Sequence, residues 1–236
     1  MEQTDNCIFF IYNFQFEDKT QSTFDIKLRL PELSYIRKED NNKPDWTRLE
    51  YNQCENCLLK PEDNPHCPIA LNLTEIIPKF KSCFSFDKVL VSVETQDRKY
   101  EKKTSVQQAL GSMLGILMVT SGCPTMKILR PMVRLHLPFA TLEETVFRSV
   151  TSYLLAQYFR NKKGEEPDWK LQGLLKSYSE IQKLNSGMAK RLRSISDKDA
   201  STNAVVVLDV FAKELPFSII DGLKNLEYLY QELIKT

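Results

Sequence analysis

The chemistry in this chain sits mainly in its six cysteines and two histidines. Cys54 and Cys57 are two residues apart, and Cys67 follows after nine more. A two-residue spacing lets both thiolates of one turn face a single ion, as in zinc knuckles. The surrounding stretch, residues 38–68, is polar and interrupted by prolines, so it has no call for buried thiols, and the three cysteines read as metal ligands. Cys123 is the first candidate for the fourth position, because Gly122 and Pro124 mark a helix end from which its side chain can project across the fold. His66 and His136 stand behind it. Zinc is the expected ion. Cys67-Pro68 and Cys123-Pro124 also repeat the Cys-Pro step that ends some iron–sulfur ligand runs, so an iron–sulfur cluster is the alternative occupant. The plain alternative is a set of free thiols or a redox pair. A thioredoxin-like pair needs a strand–helix junction, and Tyr51-Asn52-Gln53 does not end an evident strand. Cys7 and Cys83 have hydrophobic neighbours and read as core residues.

A second constellation lies in Leu129–Phe139. Its prolines predict an extended segment, since a residue that precedes proline is biased away from helix. In that conformation Val133, Leu135 and Leu137 share one face, and Met132, Arg134 and His136 share the other. Arg130, Arg134 and His136 then become candidates for a small anionic-ligand site near the helix N-terminus expected at Thr141. A Cys123–His136 catalytic pair with Glu144 as orienter is the enzymatic version. The bland version has His136 in a structural hydrogen bond and the arginines paired with acids.

The ordered set Cys54-Glu55-Asn56-Cys57, His66-Cys67-Pro68, Ser121-Gly122-Cys123-Pro124, Arg130-Pro131-Met132-Val133-Arg134 and His136-Leu137-Pro138-Phe139 resembles an uncharacterised bacterial family classed as a domain of unknown function. The resemblance spans most of the chain. It implies a bacterial origin and carries over no activity, cofactor or catalytic residue.

The elements that must position these groups divide the chain in two. Residues 8–16 and 23–30 are β-branched and aromatic or alternating, and the polar break between them predicts a hairpin. Residues 69–80 predict a short helix, Val89 to Thr95 a half-buried strand, and Arg98 to Lys102 its partner. The second half opens with capping-box spacing at Thr104–Gln107, then places Leu110, Met113, Leu114, Leu117 and Met118 on one face. Gly111 and Gly115, one turn apart, would let another backbone come close. Thr141–Glu144 repeats the capping-box spacing, and further helices are expected from Asp168, over 204–215 against the β preference of Val205 to Val207, and from Ser218. The fold expected is α+β: a β-rich region with a cysteine-rich metal-binding loop over 1–103, and an antiparallel helical bundle over 104–236, packed as one unit.

Composition narrows the function classes. At 236 residues, 42% hydrophobic and 27% charged, the chain can bury a sizeable core. Its 32 basic and 31 acidic side chains leave a net charge of +1, so nucleic acid is not indicated. Seven glycines and no phosphate-loop pattern argue against a nucleotide-cradling loop. The polar start, Met1–Cys7, predicts no secretory signal, and the apolar run 109–119 is too short for a membrane span. The sequon Asn72-Leu73-Thr74 matters only in a secreted chain. The expected location is the cytoplasm, where thiols stay reduced or bind metal. The reading is a binding or regulatory protein with a structural zinc site, its partner an unknown protein or small anionic ligand. An enzyme acting on a small anion through Cys123, His136 and Arg134, and a cysteine-cluster redox sensor, are the alternatives.

Overall fold

The computed structural model describes residues 6–37 and 43–235, so the signal-free start expected over Met1–Asp5 and part of the polar loop lie outside the described residues. The expected hairpin forms from β1 (Cys7–Phe16) and β2 (Gln21–Arg29), paired in antiparallel register with Tyr12 opposite Phe24. A short β3 (Ser34–Tyr35) adds to β2. On the other side β1 pairs with β4 (Lys88–Glu94), which pairs with β5 (Lys99–Ser105). The result is a five-stranded antiparallel sheet in the order β3-β2-β1-β4-β5. Alternation decides which face is covered: Ile8, Phe10, Tyr12, Phe14, Ile26, Leu28, Val89, Val91 and Val93 are all buried. Each such apolar side chain contributes roughly 1.5–3 kcal/mol on leaving water.

Two short helical turns, α1 (Pro68–Asn72) and a 3-10 turn (Ile77–Phe80), occupy the stretch expected as one helix. Asn72 is buried and donates to the Leu117 carbonyl at 2.9 Å, so the sequon is sealed inside the fold.

The covering layer begins with α2 (Val106–Val119), which is apolar nearly all round and buried nearly throughout. It touches β4 and β5 on one side and α6 (Ala200–Ile220) on the other. α5 (Gln172–Arg193) packs along α6, and α4 (Leu142–Lys162) also meets it. Buried residues of sheet and helices form one core cluster. The expected α+β class, sheet first and helices after, is the class observed.

Three expectations change. The capping box at Thr104–Gln107 does not form, because β5 runs through Ser105 straight into α2 and Thr104 instead donates to the Gln108 side chain. Leu129–Phe139 is not extended: a 3-10 turn (Pro124–Leu129) leads into α3 (Arg130–Arg134). Pro131 falls in the first turn of α3, where its missing N–H has no helical partner to lose. The helix expected from Ser218 is the continuation of α6. The chain turns at Asp221–Leu223 and ends in α7 (Lys224–Glu227), a 3-10 turn (Tyr228–Tyr230) and α8 (Gln231–Ile234). Helical spacing from Ser218 predicts Ile220, Leu223, Leu226, Tyr230 and Leu233 on the inner face; Leu226 is buried, whereas Ile220, Tyr230 and Leu233 are exposed. The second capping box does form, with Thr141 and Glu144 each accepting the other's backbone N–H. Among the described residues no single helix is long and apolar enough to cross a membrane.

The close approach anticipated at Gly111 is real. A Cβ there would stand 3.1 Å from the Ala204 carbonyl oxygen of α6, and one at Gly115 would meet Leu208. Gly111→Val therefore forces α2 and α6 apart and should cost about 1–3 kcal/mol, read as a melting point several degrees lower. An unchanged melt would show that the two helices adjust freely.

Candidate functional site

Arg191 is the buried anchor of the polar loop on α5, where Tyr51 also bonds to Ser194 and Asn56 donates to Glu180. Arg191 is 1% exposed, and its guanidinium donates to the carbonyls of Trp46, Arg48 and Leu49. No carboxylate among the described residues pairs with it, and its Nε has no partner. Burial lowers its pKa, while Cys67, Cys54, Tyr51 and Cys57 act in the opposite direction as potential negative charges. The loop backbone is stitched locally as well: Arg48 bridges to His66, Cys67 N–H donates to the Thr47 carbonyl, and Cys57 N–H donates to the Cys54 carbonyl.

The four cysteines singled out by spacing come together here. Burial pushes the Cys54 thiol up to about 12, helped by the charges of Cys67, Cys57 and Cys123. Burial likewise raises Cys123, with Cys67 and Cys57 adding to the shift, and it raises Cys67. Backbone N–H groups oppose that rise: Ala70 and Ile69 at Cys67, Thr125 and Met126 at Cys123. The two Cys-Pro steps thus have the same local build, a cysteine at the cap of a proline-led turn whose next free N–H groups lean toward sulfur without forming a full capping hydrogen bond. All six cysteines are free thiols. The Cys54 thiol rests against the Leu184 carbonyl of α5, 3.7 Å away. Gly187 makes that contact possible, since a Cβ there would lie 2.9 Å from the Cys54 sulfur. In donor type and number the cluster fits zinc. Its spacing does not close a cage: among the described residues no group of three or more His, Cys, Asp or Glu side chains is set to hold an ion.

His66 is engaged elsewhere, its Nδ1 2.8 Å from the Thr47 hydroxyl. Cys7 and Cys83 are half-buried, and Cys83 packs against the core.

The Arg–His constellation takes another form. Because α3 is helical and ends at Arg134, residues 134 and 136 do not share a face, and Arg134 is exposed. Arg130 is half-buried with its Nε unpartnered. His136 turns inward, where its Nε2 lies 2.8 Å from the Tyr12 hydroxyl; Tyr12 is also 3.0 Å from Ser112 Oγ, which accepts from Phe139 N–H. Burial, with Arg148 nearby, lowers the His136 pKa from 6.5 to about 3, so the ring is neutral near pH 7 and cannot supply the cation of an anion site. Glu144, the expected orienter, is taken up by the Thr141 cap.

Sequence reasoning missed Arg191, Gly187 and the cavity that His136 lines. It encloses about 590 Å³ between α2, the 124–141 segment, α4, α5 and α6. A buried arginine on an apolar helix face was the available signal for the first; nothing local marks the other two.

Fold and site define an α+β protein with an antiparallel sheet, a helical layer and a thiol cluster at their junction. The chain belongs to the family described as Domain of unknown function (DUF6901), whose family model matches residues 10–231. No curated protein and no solved structure matches it.

His136 makes stability pH-dependent with a definite sign. Its folded value lies below its unfolded one, so the unfolded chain takes up the proton first as pH falls. Its contribution is complete above pH 6.5 and drains away between 6.5 and about 3. By pH 4.5 the loss is about 2.5 kcal/mol. Urea unfolding at pH 7 and 4.5 should show a smaller acid loss in His136→Gln than in wild type. Equal losses would mean that His136 is not held neutral.

Proposed function

We propose that this is a binding protein in which Cys54, Cys57, Cys67 and Cys123 hold a structural zinc ion that fastens the cysteine loop to the helical half. The observation that carries this reading is Arg191, a guanidinium buried beside the thiols of Cys54, Cys57 and Cys67 with no carboxylate partner among the described residues. A buried cation calls for a counter-charge. A zinc ion with four thiolates carries net negative charge and supplies one, while four neutral thiols do not. The N–H groups leaning on Cys67 and Cys123 support the same reading, because such donors stabilise thiolate ligands. Zinc would supply no reaction here, only cross-linking among three chain segments. An iron–sulfur cluster fits the same thiols and is separated by colour. The reading of Cys123 as nucleophile is weaker, since a thiol whose pKa is raised by burial forms little thiolate near neutral pH.

Protein purified without chelator should carry about one zinc per chain by elemental analysis and lack the visible absorption of an iron–sulfur cluster. Cys123→Ser should lower metal content as Cys57→Ser does, and Gly187→Ala should lower it by displacing Cys54. A metal-free protein that is fully folded and melts unchanged with a chelator would overturn the proposal. Rapid alkylation of Cys123 at full metal content would point to the enzymatic alternative.

A further inference from the structure

The cavity between the helices is the chain's other unexplained feature, and its lining is mostly apolar, with Ile116, Met126, Leu129, Leu142, Ile181 and Phe211 among the wall residues. Nearly every polar group in the wall is already engaged. Ser112 and His136 bond to Tyr12, Tyr178 bonds to Ser149 at 2.7 Å, Thr145 donates to the Thr141 carbonyl, and Thr104 bonds to Gln108. Two groups are not. Asn185 is 2% exposed and lines the cavity, and its side-chain amide takes part in none of the hydrogen bonds described among the wall residues. Arg148 spends Nη2 on the Met132 and Leu135 carbonyls at 2.7 and 3.0 Å, and none of the ion pairs among the described residues includes it. Glu144, the acid that acts on it, is held in the helix cap. No Asp or Glu lines the cavity; its charged groups are Lys102 and Arg148.

We propose that the cavity binds an amphipathic carboxylate, with the carboxylate held by Arg148, an apolar carbon body along α2 and α6, and a second oxygen hydrogen-bonded to the Asn185 amide. Charge complementarity selects the head group: two cations and no acid disfavour an amine and favour an anion. The second oxygen follows from α5. Arg148 lies close enough to Tyr178 for each to shift the other's pKa. Tyr178 and Asn185 line the same cavity seven residues, or about 10 Å, apart along the helix. Arg148, beside Tyr178, and Asn185 are therefore set apart along an apolar wall, a separation that suits an oxygenated fatty-acid-like molecule. This site is separate from the thiol cluster and does not depend on zinc.

The test is calorimetric titration of the full chain with decanoate, its terminally hydroxylated counterpart and decanol. Hydroxydecanoate should bind most tightly, decanoate less so, and decanol at least tenfold more weakly than hydroxydecanoate. Asn185→Leu should erase the advantage of the hydroxyl while keeping decanoate binding. Arg148→Lys, which keeps the charge and disturbs the two carbonyls least, should retain the preference for carboxylate, and Arg148→Met should lose it. Leu129→Trp, on the cavity wall away from the α2–α6 crossing, should weaken binding of all three while its circular dichroism and melt stay those of wild type. Should none of the probes bind, should decanol bind as well as the acids, or should a folded Leu129→Trp leave binding intact, the proposal fails.

Discussion

A guanidinium removed from water needs all its donors met and its charge answered, and Arg191 sets that condition where the two halves of the molecule join. Its donors reach three carbonyls of the loop that carries Cys54, Cys57 and Cys67, so the loop has one seat on α5 rather than many. Without an opposing charge such an arrangement is expensive, since removing a charge from water costs several kcal/mol even after relaxation. The thiols around it are the groups able to answer, and a metal that holds them deprotonated would make that answer permanent. Loop placement, thiol chemistry and the buried cation are thus parts of one electrostatic problem. Gly187 belongs to it too, because only the absence of a side chain lets Cys54 lie on the helix.

α2 poses the complementary problem. A helix that is apolar nearly all round must be covered on every side, and the sheet covers one side while α6 covers another. Gly111 and Gly115 bring α6 close at one point, yet the remaining helices do not close the space along α2 and α5, and the cavity is what remains. The His136–Tyr12–Ser112 chain ties the cavity wall to the central strand β1, so the sheet and the cavity share one rigid boundary.

Much of the architecture could be read in the chain itself, for reasons confined to a few residues at a time. The alternation in β1 and β4 set the covered face of the sheet, the Thr141–Glu144 pair marked the start of α4, and two glycines one turn apart foretold a close helix crossing. The cysteines announced themselves by spacing. Local rules failed where two of them competed. Val205 to Val207 favour strand, yet they lie in α6, because packing on α2 outweighs a propensity worth less than about 1 kcal/mol. The prolines around Arg130 suggested an extended segment, but a proline in a first turn is also a helix start, and the choice rests on what surrounds it.

By itself the sequence determined the class of fold, the presence of the first hairpin and the identity of the thiols, since each depends on periodicity or spacing along the chain. Only tertiary structure decided which of those residues meet. Cys123 comes to Cys54 from far along the chain. Arg134 and His136, two residues apart, turn to solvent and to Tyr12. Asn185 is left facing a cavity. Such outcomes depend on how helices cross and what lies between them, and packing of that kind has no signature in any local run of residues.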